Sequence, residues 1–319
     1  MQIDMIILGD IMKRLFTIVI CLIILGASVV KLPEITETIN SYFYASQTVV
    51  LPEKNNYAKN QEYEFVKVTD DFVPYNFQEL LNIFYTILDR GYQNFTFYCP
   101  VEYQDCVNDV IKISDKNNKE VLTTLGNYVS PFNNFTLLKV KYDSAGEITV
   151  NVDYTYTDED IIVINKKLDE LWSEIVTPEM KDEDIIYAFH DYFINTTRYD
   201  ELYEEEIKKG LESTHKSFKA NGVLFEGYAI CSGYTDAMAL VLDRLGLNNF
   251  KVASTTHVWN AVKLNNQWLH LDLTWDDPVS QDTQKDNLLH KFYLINTPTL
   301  EEFDIVDHAF NKSFYIELK

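Results

Sequence analysis

The sequence predicts an α+β fold, and three observations carry that expectation. Apolar residues recur at helical spacing in Asn76–Arg90, Asp158–Ile175 and Lys181–Asn195. Apolar and polar residues alternate in two paired runs, Phe135–Tyr142 with Ile148–Tyr156 and His257–Leu264 with Gln267–Leu273. A further helix-patterned run opens at Cys231 and stops at Gly246, just ahead of the second of those hairpins.

In chain order, the first helix is capped by Asn76, carries Leu80, Leu81, Phe84 and Ile87 on one face, and is stopped by Gly91. Asn94–Cys99 reads as a strand and Gln104–Ser114 as a short helix. Asp143-Ser-Ala-Gly-Glu147 turns the first hairpin. Asp158–Ile175 bridges to a second unit, where Ile185, Ile186, Phe189 and Phe193 give Lys181–Asn195 its apolar face. The charged run Asp200–Lys209 is expected as a solvated excursion. Then follow the Cys231 helix, a strand at Lys251–Ala253, and the hairpin turned by Asn265-Asn266, residue types that tolerate positive φ. A last strand is expected at Phe292–Ile295.

With 319 residues the chain can form one large or two small domains behind a leader. Four segments are expected: 1–30 as a signal peptide or membrane anchor, 31–60 as a linker, 61–160 as an accessory α+β domain, and 161–319 as a catalytic domain. The leader rests on Lys13-Arg14 before the apolar stretch Leu15–Val30. It places the protein outside the cell or anchored on the outer face, touching the membrane only through that segment. The net charge of −22 repels phosphate backbones and excludes nucleic acid as a partner. No Cys/His cluster has zinc spacing and no Asp-rich loop suits calcium, so neither metal nor cofactor is expected. Cys99 and Cys106 are either a small-loop disulfide or two buried thiols. Both readings leave Cys231 unpartnered, as a nucleophile must be.

The position of Cys231 suits that role, because the positive end of a helix favours thiolate over thiol. Its own backbone N–H is an oxyanion donor. His257 begins one strand and Asp272 ends the next, so the hairpin brings an imidazole against a carboxylate. Tyr228 and Tyr234 flank the thiol as candidate oxyanion or cleft residues, and Trp259 and Asn260 sit beside His257. Core packing is the competing role for both tyrosines and for Trp259, Trp268 and Trp275, and a backbone contact is the competing role for Asn260. Asp276 is a turn residue or a binder of a substrate amine. His190, His215, His270, His290 and His308 show no partner pattern and are expected to be structural or solvent-exposed.

Three blocks carry a resemblance: Gly227-Tyr-Ala-Ile-Cys-Ser-Gly-Tyr-Thr-Asp-Ala237, His257-Val-Trp-Asn-Ala-Val262, and Trp268-Leu-His-Leu-Asp-Leu-Thr-Trp-Asp-Asp-Pro278. Together they resemble the transglutaminase-like superfamily, in its bacterial branch. Phe189-His-Asp-Tyr-Phe-Ile-Asn-Thr-Thr-Arg-Tyr-Asp200 resembles the helix preceding the nucleophile there, and the likeness spans roughly residues 180–296. It implies a papain-like core with the nucleophile helix packed on an antiparallel sheet. Cys231 would be the nucleophile, His257 the base and acid, and Asp272 the orienting carboxylate. Ser232 stands where animal transglutaminases carry Trp, which with the missing calcium loop argues against calcium-activated cross-linking.

The resulting expectation is an exported thiol enzyme hydrolysing peptide or amide bonds through a thioester, with protein or peptide substrates, cell-wall peptide among them. The alternatives are a transglutaminase that passes the acyl group to an amine, and a non-catalytic module that binds peptide or cell-wall polymer. A structural cell-surface protein acting through its accessory domain is a further rival. Nothing in the sequence fixes an oligomeric state.

Overall fold

A computed structural model describes residues 36, 49–115, 117, 119–209, 216–277 and 289–319. The expected leader at Leu15–Val30, with Cys21, and also His215 lie outside the described residues. Among the described residues no helix is long and apolar enough to cross a membrane.

Helix α1 (Phe77–Asp89) starts where the Asn76 side chain accepts the Glu79 N–H at 3.0 Å, and it buries Leu80, Ile83, Phe84 and Ile87. Gly91 follows at φ +69°, the left-handed conformation that ends helices. A three-stranded antiparallel sheet in the order β1-β3-β2 packs beneath, from β1 (Asn94–Tyr98), β2 (Phe135–Tyr142) and β3 (Glu147–Tyr154). Helix α2 spans Cys106–Ser114, and a disulfide joins Cys106 to Cys99, closing the connection from β1. Helix α3 (Glu120–Asn127), which buries Thr124, Leu125, Gly126 and Asn127, is not anticipated by the sequence reading, because eight residues span too few turns to show a helical repeat.

Helix α4 (Asp158–Ile175) begins with a capping box between Thr157 and Asp160. Helix α5 (Asp182–Thr196) buries Ile185, Ile186, Phe189 and Phe193, the face its spacing predicts. The expected solvated excursion contains a helix, α6 (Glu201–Lys208), anchored by the buried Tyr203. Two-residue strands β4 (Arg198–Tyr199) and β5 (Tyr228–Ala229) pair in parallel just before helix α7 (Cys231–Arg244). A second antiparallel sheet follows in the order β6-β7-β8, from β6 (Asn249–Ala253), β7 (Val258–Leu264) and β8 (Gln267–Leu271). Asn265 and Asn266 turn its hairpin at φ 50° and 63°. A short helix α8 (Leu273–Asp276) follows β8 directly. The strand expected at Phe292–Ile295 is reduced to one bridge between His270 and Ile295, because Leu294 at φ +51° breaks the extended run. Helix α9 (Thr297–Phe303), capped by Asn296, comes next.

The fold is α+β, with the Cys231 helix packed on the second sheet. Alternation along β7 explains how that sheet serves two cores. Trp259 and Ala261 join Phe250, Val252 and the N-terminal aromatics Tyr63, Tyr85 and Tyr128. Val262 faces the other way, into the core built by α4, α5 and α7.

Candidate active site

Cys231 is the first residue of α7, so its N–H has no acceptor within the helix. The preceding turn holds this end firmly. Ser217 O accepts the Ile230 N–H at 3.0 Å, and the Ser232 hydroxyl donates to Phe218 O at 3.0 Å. A Cβ on Gly233 would lie 2.5 Å from Ser217 O and 3.0 Å from Lys219 O, so only glycine fits that approach. On the sheet side, the Thr235 hydroxyl reaches Val258 O at 3.0 Å, and the Asn260 amide donates to Thr235 O at 3.0 Å. The thiol is partly exposed and unbridged.

His257 precedes β7 and Asp272 follows β8, and the hairpin puts His257 Nε2 2.6 Å from Asp272 Oδ2. Asp272 is buried and also caps α8, with Oδ1 accepting the N–H groups of Thr274 at 2.9 Å and Trp275 at 3.2 Å. Burial works against charge on the His257 imidazole. The Asp272 carboxylate and a hydrogen bond with Cys231 prevail and lift it from 6.5 to about 10. Burial likewise pushes Asp272 up, and His257 overrides it, holding the carboxyl well below the usual carboxylate range. With Nε2 taken by the carboxylate, Nδ1 is the ring nitrogen left to meet the thiol. Trp259 stacks on the imidazole with ring centroids 5.6 Å apart. A thiol, an imidazole and a buried carboxylate in this sequence suit acyl transfer.

Residues 169–273 match the family model of the transglutaminase-like superfamily. This segment belongs to that superfamily. It contains all three residues just described. Among solved structures, the chain is similar to one titled "Crystal structure of a TGase", at 15% identity and a TM-score of 0.35. The match covers 56% of this chain and 53% of that one, so the chain spans about half of that structure's length. No curated protein matches the chain.

Within and beside the transglutaminase-like domain, the other residues singled out by sequence divide clearly. Trp259 is buried, and its indole N–H donates to His270 Nδ1 at 3.0 Å. Asn260 is spent on the backbone of α7. Tyr234 is buried with its hydroxyl donating to Asp277 at 2.6 Å, and burial raises its pKa well above the ordinary value. That commitment removes the phenol as an oxyanion donor. Tyr228 is exposed on β5. Asp276 is fully buried; its carboxylate accepts the Phe292 N–H at 2.9 Å and pairs with His190 Nε2 at 3.1 Å. Of the two roles open to Asp276 in the sequence, these internal partners fit the structural one.

Two residues the sequence reading did not assign stand at the site. Tyr199 on β4 is pushed above the ordinary tyrosine range by burial and then by the charge of Cys231. His308, expected to be structural or solvent-exposed, is fully buried with Nε2 2.9 Å from Asp272 Oδ2 and Nδ1 2.7 Å from Asp304 Oδ2. No spacing rule reaches it, because the bond to Asp272 crosses 36 positions. The Asp304/His308 i, i+4 pair was the one local hint.

Among the described residues, two groups have donor atoms within 4.8 Å of one another: His257–Asp272–His308 and His190–Asp191–His290. In the first, the facing atoms are already committed to one another by hydrogen bonds, which makes the group an acid–base chain. In the second, His290 Nε2 meets Asp191 Oδ1 at 2.6 Å at the surface.

Proposed function

We propose that the protein is an exported thiol acyl-transfer enzyme that hydrolyses amide or peptide bonds through Cys231, His257 and Asp272. The observation that carries this reading is one imidazole held at 2.6 Å by a buried carboxylate, with an unbridged thiol at a helix start acting on that imidazole. The Cys231 sulfur adds to the substrate carbonyl carbon, forming a C–S bond while the carbonyl π pair moves to oxygen. The Cys231 N–H faces that oxygen as a donor. The oxygen pair then returns, the C–N bond breaks, and the His257 imidazolium gives its proton to the leaving amine. Neutral His257 next takes a proton from water as the hydroxide adds to the thioester. Collapse releases the acid, and the thiolate–imidazolium pair is restored. Asp272 holds the ring and stabilises its charge throughout.

Two facts support export. The sequence carries a basic-then-apolar leader, and the Cys99–Cys106 bridge suits an oxidising compartment. Water is favoured over an amine as acceptor by the lack of a legible acceptor site and calcium loop in the sequence. The test is incubation with a glutamine-containing peptide and a labelled primary amine. Release of ammonia without incorporated label is the expected result, and label in the peptide would make the enzyme a transglutaminase. No turnover that depends on Cys231, across a peptide library, would leave a binding module.

A further inference from the structure

Asp272 does not serve His257 alone. Its Oδ2 atom lies 2.6 Å from His257 Nε2 and 2.9 Å from His308 Nε2, while the far nitrogen of His308 lies 2.7 Å from Asp304 Oδ2. Thiol, imidazole, carboxylate, imidazole and carboxylate thus form one chain through the domain. Carboxylates accept and do not donate when ionised, so two ionised partners suit a His308 ring with hydrogen on both nitrogens. That ring is buried and fixed between Trp259, Trp275 and a stacked Phe292, with centroids 4.8, 5.0 and 5.1 Å away.

We propose that His308 is a positioning residue for the thiol chemistry: it locks the Asp272 carboxylate from the side away from Cys231 and, as a fixed cation, moderates the pull of that carboxylate on the His257 proton. The proposal rests on the reading of Cys231, His257 and Asp272 as the reacting groups. A carboxylate shared by two imidazolium rings attracts each proton less than it would attract one alone. The rings of His257 and His308 are 5.3 Å apart, close enough for strong mutual repulsion in a site shielded from water. Without that repulsion His257 would hold its proton more tightly and surrender it less readily to a leaving amine.

The other ionisable groups around the chain do not replace this effect. Asp304 is pulled below the carboxylate range, against burial, by His308 and by backbone N–H groups. His270 on β8 accepts the Trp259 indole N–H; burial and then the charge of His308 lower its pKa to about 3, so it adds no charge. Lys312 acts on His270 from further off, and Asp276 is paired with His190. Tyr199, raised by burial and then by the charge of Cys231, keeps its proton and adds no charge.

The test uses the full chain and the pH profile of Cys231 alkylation by iodoacetate, an anionic reagent favoured by a thiolate–imidazolium pair. In His308→Gln an amide N–H can still reach Asp272, but the charge is gone. The alkaline limb should move upward by on the order of one to two pH units. Asp304→Asn, which weakens the cation without touching Asp272, should shift it the same way by less. Nitrogen-15 spectra at neutral pH should show doubly protonated rings at both His257 and His308, of which only the His308 signals disappear in His308→Gln. Limbs that coincide in wild type and both variants, or a single-proton tautomer at His308, would overturn the proposal. If wild-type Cys231 alkylates like an ordinary thiol, with no bell-shaped profile, it is the enzyme reading that fails.

Discussion

His257 is where the chemistry and the stability of this protein meet. In the unfolded chain its imidazole titrates near 6.5, and in the folded site at about 10. A raised folded value means the native state binds the proton more tightly. The stabilisation is therefore complete below about pH 6.5 and is lost progressively as pH climbs through 10. Asp272 is depressed instead, so its contribution holds above the unfolded carboxylate value and fades only in strong acid. These are two views of one interaction and do not add. Thermal unfolding of the wild type should show a midpoint that falls between pH 6.5 and 10, and His257→Gln should flatten that part of the curve. An unchanged slope in the variant would assign the pH dependence to another group.

The first turn of α7 is the element on which the site depends most. Gly233 lets that turn approach the backbone of Ser217 and Lys219, and neither carbonyl can move aside cheaply. Gly233→Ala should cost roughly 1–3 kcal/mol, the usual price of overpacking, and should slow Cys231 alkylation because the helix start must shift. A variant with wild-type melting and alkylation would show the approach to be looser than described. Much at this scale is legible in sequence. The Asn265-Asn266 turn fixes the register of the hairpin, and register alone delivers His257 to Asp272. Legibility ends where tertiary contacts decide. Helix α3 is too short to show its repeat, the turn at Leu294 cuts short an apparent strand, and His308 reaches Asp272 only because the tail folds back over α8 and β8. Tyr199 escaped notice for the same reason, since only a two-residue parallel pairing sets it against Ala229, two positions before Cys231.

At the scale of the whole molecule, a buried polar cluster ties the nucleophile helix to the parts around it. Asp236 on α7 accepts from Lys251 on β6 at 3.1 Å, from Asn134 before β2 at 2.8 Å and from Tyr156 after β3 at 2.8 Å. Lys251 also donates to Asn134 at 2.6 Å, and the Tyr156 hydroxyl accepts the Ala220 N–H at 2.8 Å. Lys59 repeats the arrangement at the other end of α7, pairing with Asp243 at 2.9 Å. Residues from both halves of the chain thus share a single set of buried charges. Asp236→Ala would strand the Lys251 ammonium and should cost about 3–5 kcal/mol, read as a lower midpoint in chemical denaturation. A loss under about 1 kcal/mol would mean that the apolar contacts alone join the two halves.

The most direct test of the central claim is the rate at which Cys231 reacts with iodoacetamide at pH 6, followed by peptide mapping, in the wild type and in His257→Ala. An activated thiolate should label far faster than a free thiol at that pH, and the substitution should slow it by about 100-fold or more. Equal rates in the two proteins, both at the level of an ordinary cysteine, would contradict the account.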